Sequence, residues 1–198
     1  MMAIRDIVIY PEGAEVLRAH SKPVGHITPR AKDVVEDLKE TLAAHPEGIG
    51  LAAPQIGVTI RVVAVRLHGG DRDSAPGPPM VLINPEILEA RERRRDFDGC
   101  LSLPGLYGET TRPHYLRVTG VDESGSSFDE VFQGFDAVVV HHELDHLDGV
   151  LFIDRAAGLE DLYHVRVKED GRAVRVPLSR PRRDNDRERK SLRFSVEA

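Results

Sequence analysis

Residues 135–147 read FDAVVVHHELDHL, and whether this stretch is helix or strand decides how the rest of the chain is assembled. The run Val138-Val139-Val140 favours a strand, because β-branched side chains fit a pleated surface. The second half demands the opposite. His142 and His146 are four residues apart, and on a helix such residues share one face, one turn above each other. Both imidazoles then reach one ion, while Glu143, rotated to the side, can exchange protons with a water there without being a ligand. The helix is therefore the reading adopted, with Val138, Val139, Val140 and Leu144 as its apolar positions. Taken alone, the His-Glu-x-x-His pattern also fits a solvated polar face.

A hydrolytic metal site needs a third protein ligand and one open position. The extended pattern HExxHxxGxxH finds Gly149 here but Phe152 where its third histidine would stand, which argues against that class of protease. Glu160 remains a downstream candidate. Cys100, the chain's single cysteine, is the other, in the Gly-flanked segment DFDGCLSLPG at 96–105. A lone cysteine is also commonly a small buried apolar side chain. Upstream, GIGLAAPQIG at 48–57 has glycines that let a substrate backbone approach, and Gln55 offers an amide that can donate to an oxygen. A structural turn packing small residues would read the same way. No Lys-Ser/Thr pair follows at phosphate-loop spacing.

Around these segments, Thr28 as N-cap, Pro29 at the first position, and Val34, Val35, Leu38 and Leu42 at helical spacing predict a helix over Pro29–Ala44. Strands are predicted at 60–67 and 80–88, and a hairpin over 116–132 turning at DESGS. HGGDRDSAPGPP, at 68–79, reads as a surface loop. Strands and helices without regular alternation give an α+β class. The length of 198 residues, 40% hydrophobic and 30% charged, suits one soluble domain, placed at 1–170 with a charged tail at 171–198. One cysteine, no secretory signal and no run of about eighteen apolar residues fit a cytoplasmic protein without a membrane span. A net charge of -6 gives no general drive toward DNA. The segment 180–193, RPRRDNDRERKSLR, is nonetheless rich in arginine. It reads as a solvated terminus or as a contact with ribosomal RNA.

GIGLAAPQ (48–55), DGCLS (98–102) and HELDH (142–146) stand in chain order, joined by VLINPEI (81–87), LPGLYGETTRP (103–113) and DHLDGVLFIDR (145–155). Over roughly residues 7–155 the chain resembles the peptide deformylase family, hydrolases that remove the formyl group from the N-terminal methionine of new polypeptides. The resemblance implies antiparallel and mixed sheets wrapped around a central helix bearing the histidine pair. It implies Cys100, His142 and His146 as metal ligands, iron(II) as the native ion, and zinc, nickel or cobalt as ions the site accepts. Glu143 would carry protons, and the Gln55 side chain and the backbone N–H of Leu101 would donate to the oxyanion. An N-formylmethionyl peptide would pair with Ile49, Gly50 and Leu51 and pass Gly99. Its side chain would enter a pocket lined by Val138, Val139 and His142, unless those valines only pack the core. Two positions depart from the family pattern, where Glu and Gln become Asp98 and His141. Asp98, one methylene shorter, is expected to face Arg112 behind the ligands. The alternative is a deformylase-like binding protein with weak or no activity.

Overall fold

The computed structural model describes residues 3–168 and 172–178. The arginine-rich segment 180–193 lies outside the described residues. Among the described residues there are three α-helices, α1 (Ala14–Leu17), α2 (Pro29–Ala44) and α3 (Gly134–Leu147), three short 3-10 turns and seven strands. The strands are β1 (Gly50–Ala52), β2 (Val62–Arg66), β3 (Pro79–Gly99), β4 (Leu106–Val121), β5 (Ser127–Gln133), β6 (Leu162–Val167) and β7 (Ala173–Pro177). They form one sheet in the order β1-β2-β3-β4-β6-β7, with β5 on β4, and every named pair is antiparallel. The class is α+β, as the sequence implied.

The predicted helix at Pro29–Ala44 forms with those bounds. Thr28 Oγ1 accepts from the Ala31 N–H at 3.3 Å, and Pro29 begins the helix where its missing N–H costs nothing. The apolar run of β2 is buried on both faces because it lies between two helices. Val63 and Val65, with Leu82, Leu116 and Val118, pack with Val138, Val140, Leu144 and Leu147 of α3. Their neighbours Val62 and Ala64, with Val81 and Ile83, pack with Val34, Val35, Leu38 and Leu42 of α2. Period-two alternation thus splits one strand between two cores.

Every residue of α3 after Gly134 is buried. That settles the valine run: a helix apolar on all sides needs cover on all sides, and this one has it.

The strand predicted at 80–88 is a correction, since β3 runs on to Gly99 through the charged stretch RERRRD. Charged residues are poor strand formers in isolation. Here the ladder to β4, from Ala90↔Leu116 to Gly99↔Tyr107, pairs the backbone. Ion pairs such as Arg95–Glu109 at 3.0 Å and the Arg91 guanidinium 3.7 Å over Tyr115 occupy the exposed side chains. This long hairpin carries Asp98 and Cys100 at the end of one arm and Arg112 on the other. The predicted hairpin at 116–132 is found as β4 and β5, register Val121↔Ser127. Past residue 170 the sheet continues, for β7 pairs with β6 from Tyr163↔Pro177 to Val167↔Ala173. Among the described residues, no helix is long and apolar enough to cross a membrane.

Candidate metal centre

Three parts of the chain converge at the middle of α3. Cys100 follows directly on β3 and opens a turn closed by the Leu103 N–H donating to its carbonyl at 3.0 Å. That turn aims Sγ at the helix, 3.2 Å from His146 Nε2. His142 and His146 project from one face, ring centroids 5.0 Å apart. One ligand atom from each of Cys100, His142 and His146 lies within 4.8 Å of the others. A thiolate with two imidazoles suits zinc, iron, nickel or cobalt in the divalent state. The spacing therefore fits an ion.

The ring protons bear on the same fit. His142 Nδ1 lies 2.7 Å from Asp98 Oδ1 and donates to it; against burial, Asp98 holds the ring well above the ordinary imidazole range, so an ion at Nε2, on the cysteine side, would displace a proton. His146 is fully buried, and burial, then the neighbouring His142, keeps its ring well below the ordinary imidazole range and neutral. Glu143 is buried, with Oε2 unpartnered among the described residues. Burial pushes its carboxyl up to about 7, against the attraction of His142 and Arg112. A carboxyl so placed can both take and give a proton near neutrality.

Behind the candidate ligands, Arg112 is 0% exposed and bonds through Nε and Nη1. Nε donates to Asp98 Oδ2 at 2.6 Å, Nη1 to Asp145 Oδ2 at 2.8 Å and to His141 Nδ1 at 2.8 Å. Thr110 Oγ1 adds a bond to Asp98 at 2.8 Å, and Arg155 clasps Asp145 at 2.7 and 2.5 Å. Burial alone would raise Asp98, but His142 and Arg112 hold it well below the carboxylate range. Burial pulls His141 down to about 4, so it stays neutral and accepts from Arg112. The expected contact of Asp98 with Arg112 is present, and His141 meets the same guanidinium.

Gln55 is buried, with its orientation fixed by the Ala52 N–H donating to Oε1 at 2.8 Å. Its Nε2 therefore points into the site, 3.4 Å from Cys100 Sγ and 3.3 Å from Ser102 Oγ. A cavity of about 680 Å³ opens before these groups. Ile49, Gly50, Gly99, Leu101, Val138 and Val139 line it. Leu51 departs from the group: its side chain is 0% exposed in the α2 core, so only its backbone is near substrate. Backbone polar groups alternate in direction along an antiparallel strand. The Ile49 carbonyl accepts from the Arg66 N–H at 2.7 Å, so Gly50 turns its own groups to the open edge of β1. Gly50 must be glycine for a further reason: a Cβ there would overlap the Glu143 carboxylate.

The sequence reading did not single out Phe135, Phe97 or Arg72, which also line the cavity. Helical spacing could have found Phe135, which lies seven positions before His142 on the face of Val138 and Val139. Nothing in the sequence marks Arg72, inside a Gly-, Asp- and Pro-rich loop. Asp145 and Arg155 were read only as part of the matching stretch 145–155, with no role given to either.

Fold and site together fit the metallohydrolase class, with a helical His-Glu-x-x-His pair and a cysteine grouped where they could hold an ion. The model of the polypeptide deformylase family matches residues 4–161, and the chain belongs to that family. It is 40% identical over 155 residues to the peptide deformylase of Aquifex aeolicus, covering 78% of this chain and 89% of that protein. The crystal structure of a peptide deformylase from Legionella pneumophila aligns with TM-score 0.70 at 34% identity, covering 79% of this chain and 88% of the other. A peptide deformylase from Acinetobacter baumannii with Met-Ala-Ser bound aligns with TM-score 0.70 at 30% identity, covering 77% and 99%. The chain is thus a metal-dependent hydrolase of the N-terminal formyl group of nascent polypeptides. No feature of the site favours the alternative of an inactive binding protein.

Proposed function

We propose that Cys100, His142 and His146 hold the divalent ion and that Glu143, Gln55 and Leu101 carry the hydrolysis of an N-formylmethionyl peptide. The observation that carries this reading is the thiol from the β3–β4 hairpin lying 3.2 Å from His146 on α3. Bound there, a divalent ion supplies Lewis acidity and makes hydroxide accessible near neutral pH. Glu143 takes the proton of the attacking water and returns it to the leaving amine, a role its carboxyl near 7 suits. The Gln55 amide and the Leu101 N–H donate to the oxygen that gains charge. Gly50, with Ile49 and the Leu51 backbone beside it, adds the peptide as a further strand at the edge of β1. Val138 and Val139 line the pocket for the first side chain, and Gly99 lets the chain pass closely.

The native ion in this reading is iron(II), with zinc, nickel or cobalt as substitutes. An iron form should lose activity in air faster than a nickel form. We place the enzyme in the cytoplasm, where a lone thiol stays reduced, and place a weak ribosome contact in the basic segment 180–193. Such a contact should weaken steeply with salt. Residues 1–170 are proposed as the catalytic unit. The test is formate release from formyl-Met-Ala-Ser by metal-loaded protein, with Cys100→Ala as control. Turnover in the parent and loss of bound metal in Cys100→Ala are expected. Absence of turnover at full metal occupancy would defeat the reading.

A further inference from the structure

We propose that Arg72 is a specificity-determining residue, whose guanidinium forms the end wall of the first-side-chain pocket and sets the length of side chain admitted. The inference rests on the placement of the formylated residue proposed above. Phe135, Val138, Val139 and His142 lie along one face of α3, and all four line the cavity. Seven residues of helix separate Phe135 from His142, or about 10 Å at the helical rise. The pocket thus runs from the ligand end to Phe135, with the two valines between.

What closes it at Phe135 comes from another part of the chain. The Arg72 guanidinium carbon lies 4.5 Å from the Phe135 ring centroid and 5.4 Å from that of Phe97. Its Nη2 donates to Asp96 Oδ1 at 2.7 Å and to the Phe97 carbonyl at 3.4 Å. Asp96 neutralises the charge, so the cavity meets a flat guanidinium with aromatic rings beside it.

The loop behind Arg72 is itself pinned to the start of α3. Asp136 accepts from the His68 N–H at 2.7 Å and the Gly70 N–H at 2.8 Å, and the Phe135 N–H donates to the Gly70 carbonyl at 3.0 Å. Arg72 is two residues further on, reaching across to β3. A methionine-sized side chain can end against this wall. A longer unbranched one must pull the guanidinium off Asp96 and off both rings. The wall is therefore held by the Asp96 ion pair, a longer bond to the Phe97 carbonyl and the two ring contacts, and it can be removed by mutation.

The experiment compares kcat/KM for formyl-Met-Ala-Ser and for the same peptide beginning with 2-aminodecanoic acid. Metal-loaded parent, Arg72→Ala and Asp96→Ala proteins are used. Apolar pockets discriminate by ~10-fold or more per methylene. The long-to-Met ratio should rise at least about tenfold in Arg72→Ala. It should rise by less in Asp96→Ala, which cuts the tether from outside the cavity. A merely structural defect lowers both substrates alike and leaves the ratio unmoved, and that result overturns the proposal. If Arg72→Ala fails to fold, Asp96→Ala decides by the same ratio. A parent unable to process formyl-Met-Ala-Ser would instead overturn the functional reading on which this one stands.

Discussion

Replacing Arg112 by Met removes a cation while keeping most of the volume, and it should be among the most damaging changes outside the ligand set. Arg112 is 0% exposed and bonds two carboxylates, Asp98 at 2.6 Å and Asp145 at 2.8 Å. Asp145 would keep Arg155 and Asp98 would keep His142, so each carboxylate loses one of its two cationic partners. Breaking a buried ion pair by deleting one partner costs ~3–5 kcal/mol, because the surviving charge stays buried. For a chain of this size that lowers Tm by roughly 6–20 °C and the urea midpoint by about 1–2 M. The measurement is urea unfolding of metal-free protein from pH 7 to pH 3, parent against variant. The sign with pH follows from Asp98. Its carboxyl is held well below the usual range in the folded parent, so its contribution is present above that range and is lost as pH falls. In Arg112→Met, Asp98 keeps only the His142 ring as a cationic neighbour and takes a proton more readily, so the stability gap should narrow toward pH 3. Arg112→Lys, with one point charge and no fork, should fall between. A gap below about 1 kcal/mol at pH 7 would refute the account, and so would a gap that stays constant with pH.

Glu143→Gln should keep its metal and lose ~10²–10⁴-fold in kcat, read by formate release alongside metal analysis. Gly50→Ala should also keep its metal, since the new Cβ would strike the Glu143 carboxylate and none of the ligands. A displacement of about 1 Å commonly costs ~100-fold in turnover, so unchanged kcat would show that Glu143 need not sit where it does. Metal binding should expel protons, and more of them at pH 6 than at pH 8, because the metal-free Glu143 carboxyl lies near 7 and a nearby cation favours its ionised form. Calorimetry in buffers of differing ionisation enthalpy counts these protons, and Glu143→Gln should flatten the pH dependence; equal slopes in both proteins would remove Glu143 from the balance.

The sequence disclosed the metal site more readily than the shape of the sheet, for a physical reason. The His142–His146 spacing is a constraint internal to one helix, so it is visible without knowing what surrounds it. The burial that reconciles Val138–Val140 with a helix is tertiary, supplied by β2, β3 and β4. The length of β3 was hidden because RERRRD is a strand only when β4 lies alongside. Cys100 needed three ordered motifs before it could be set apart from a buried apolar thiol. Arg72 was out of reach, since loop composition says where a chain turns and nothing about which side chain reaches back. Leu51 shows the converse error: its motif lines the site, yet its side chain points into the α2 core.

The buried charges around α3 explain why so many ionisable groups can share one helix. Asp98 and Asp145 are matched by Arg112 and Arg155, through bonds of 2.5–2.8 Å. Those four groups balance, and they are the ones behind the ligands. Facing the cavity are Cys100 and Glu143, one negative charge each when ionised, beside two imidazoles that bind an ion as neutral rings. Without an ion, Asp98 holds the His142 ring well above the ordinary imidazole range against its burial, so that ring supplies one positive charge, while burial pushes Glu143 up to about 7. A divalent cation is the charge that closes this balance. The same count explains why Gln55, and not a lysine, faces the cysteine: a further fixed cation there would compete with the ion for the thiolate. An amide donates a hydrogen bond at 3.4 Å without altering the sum.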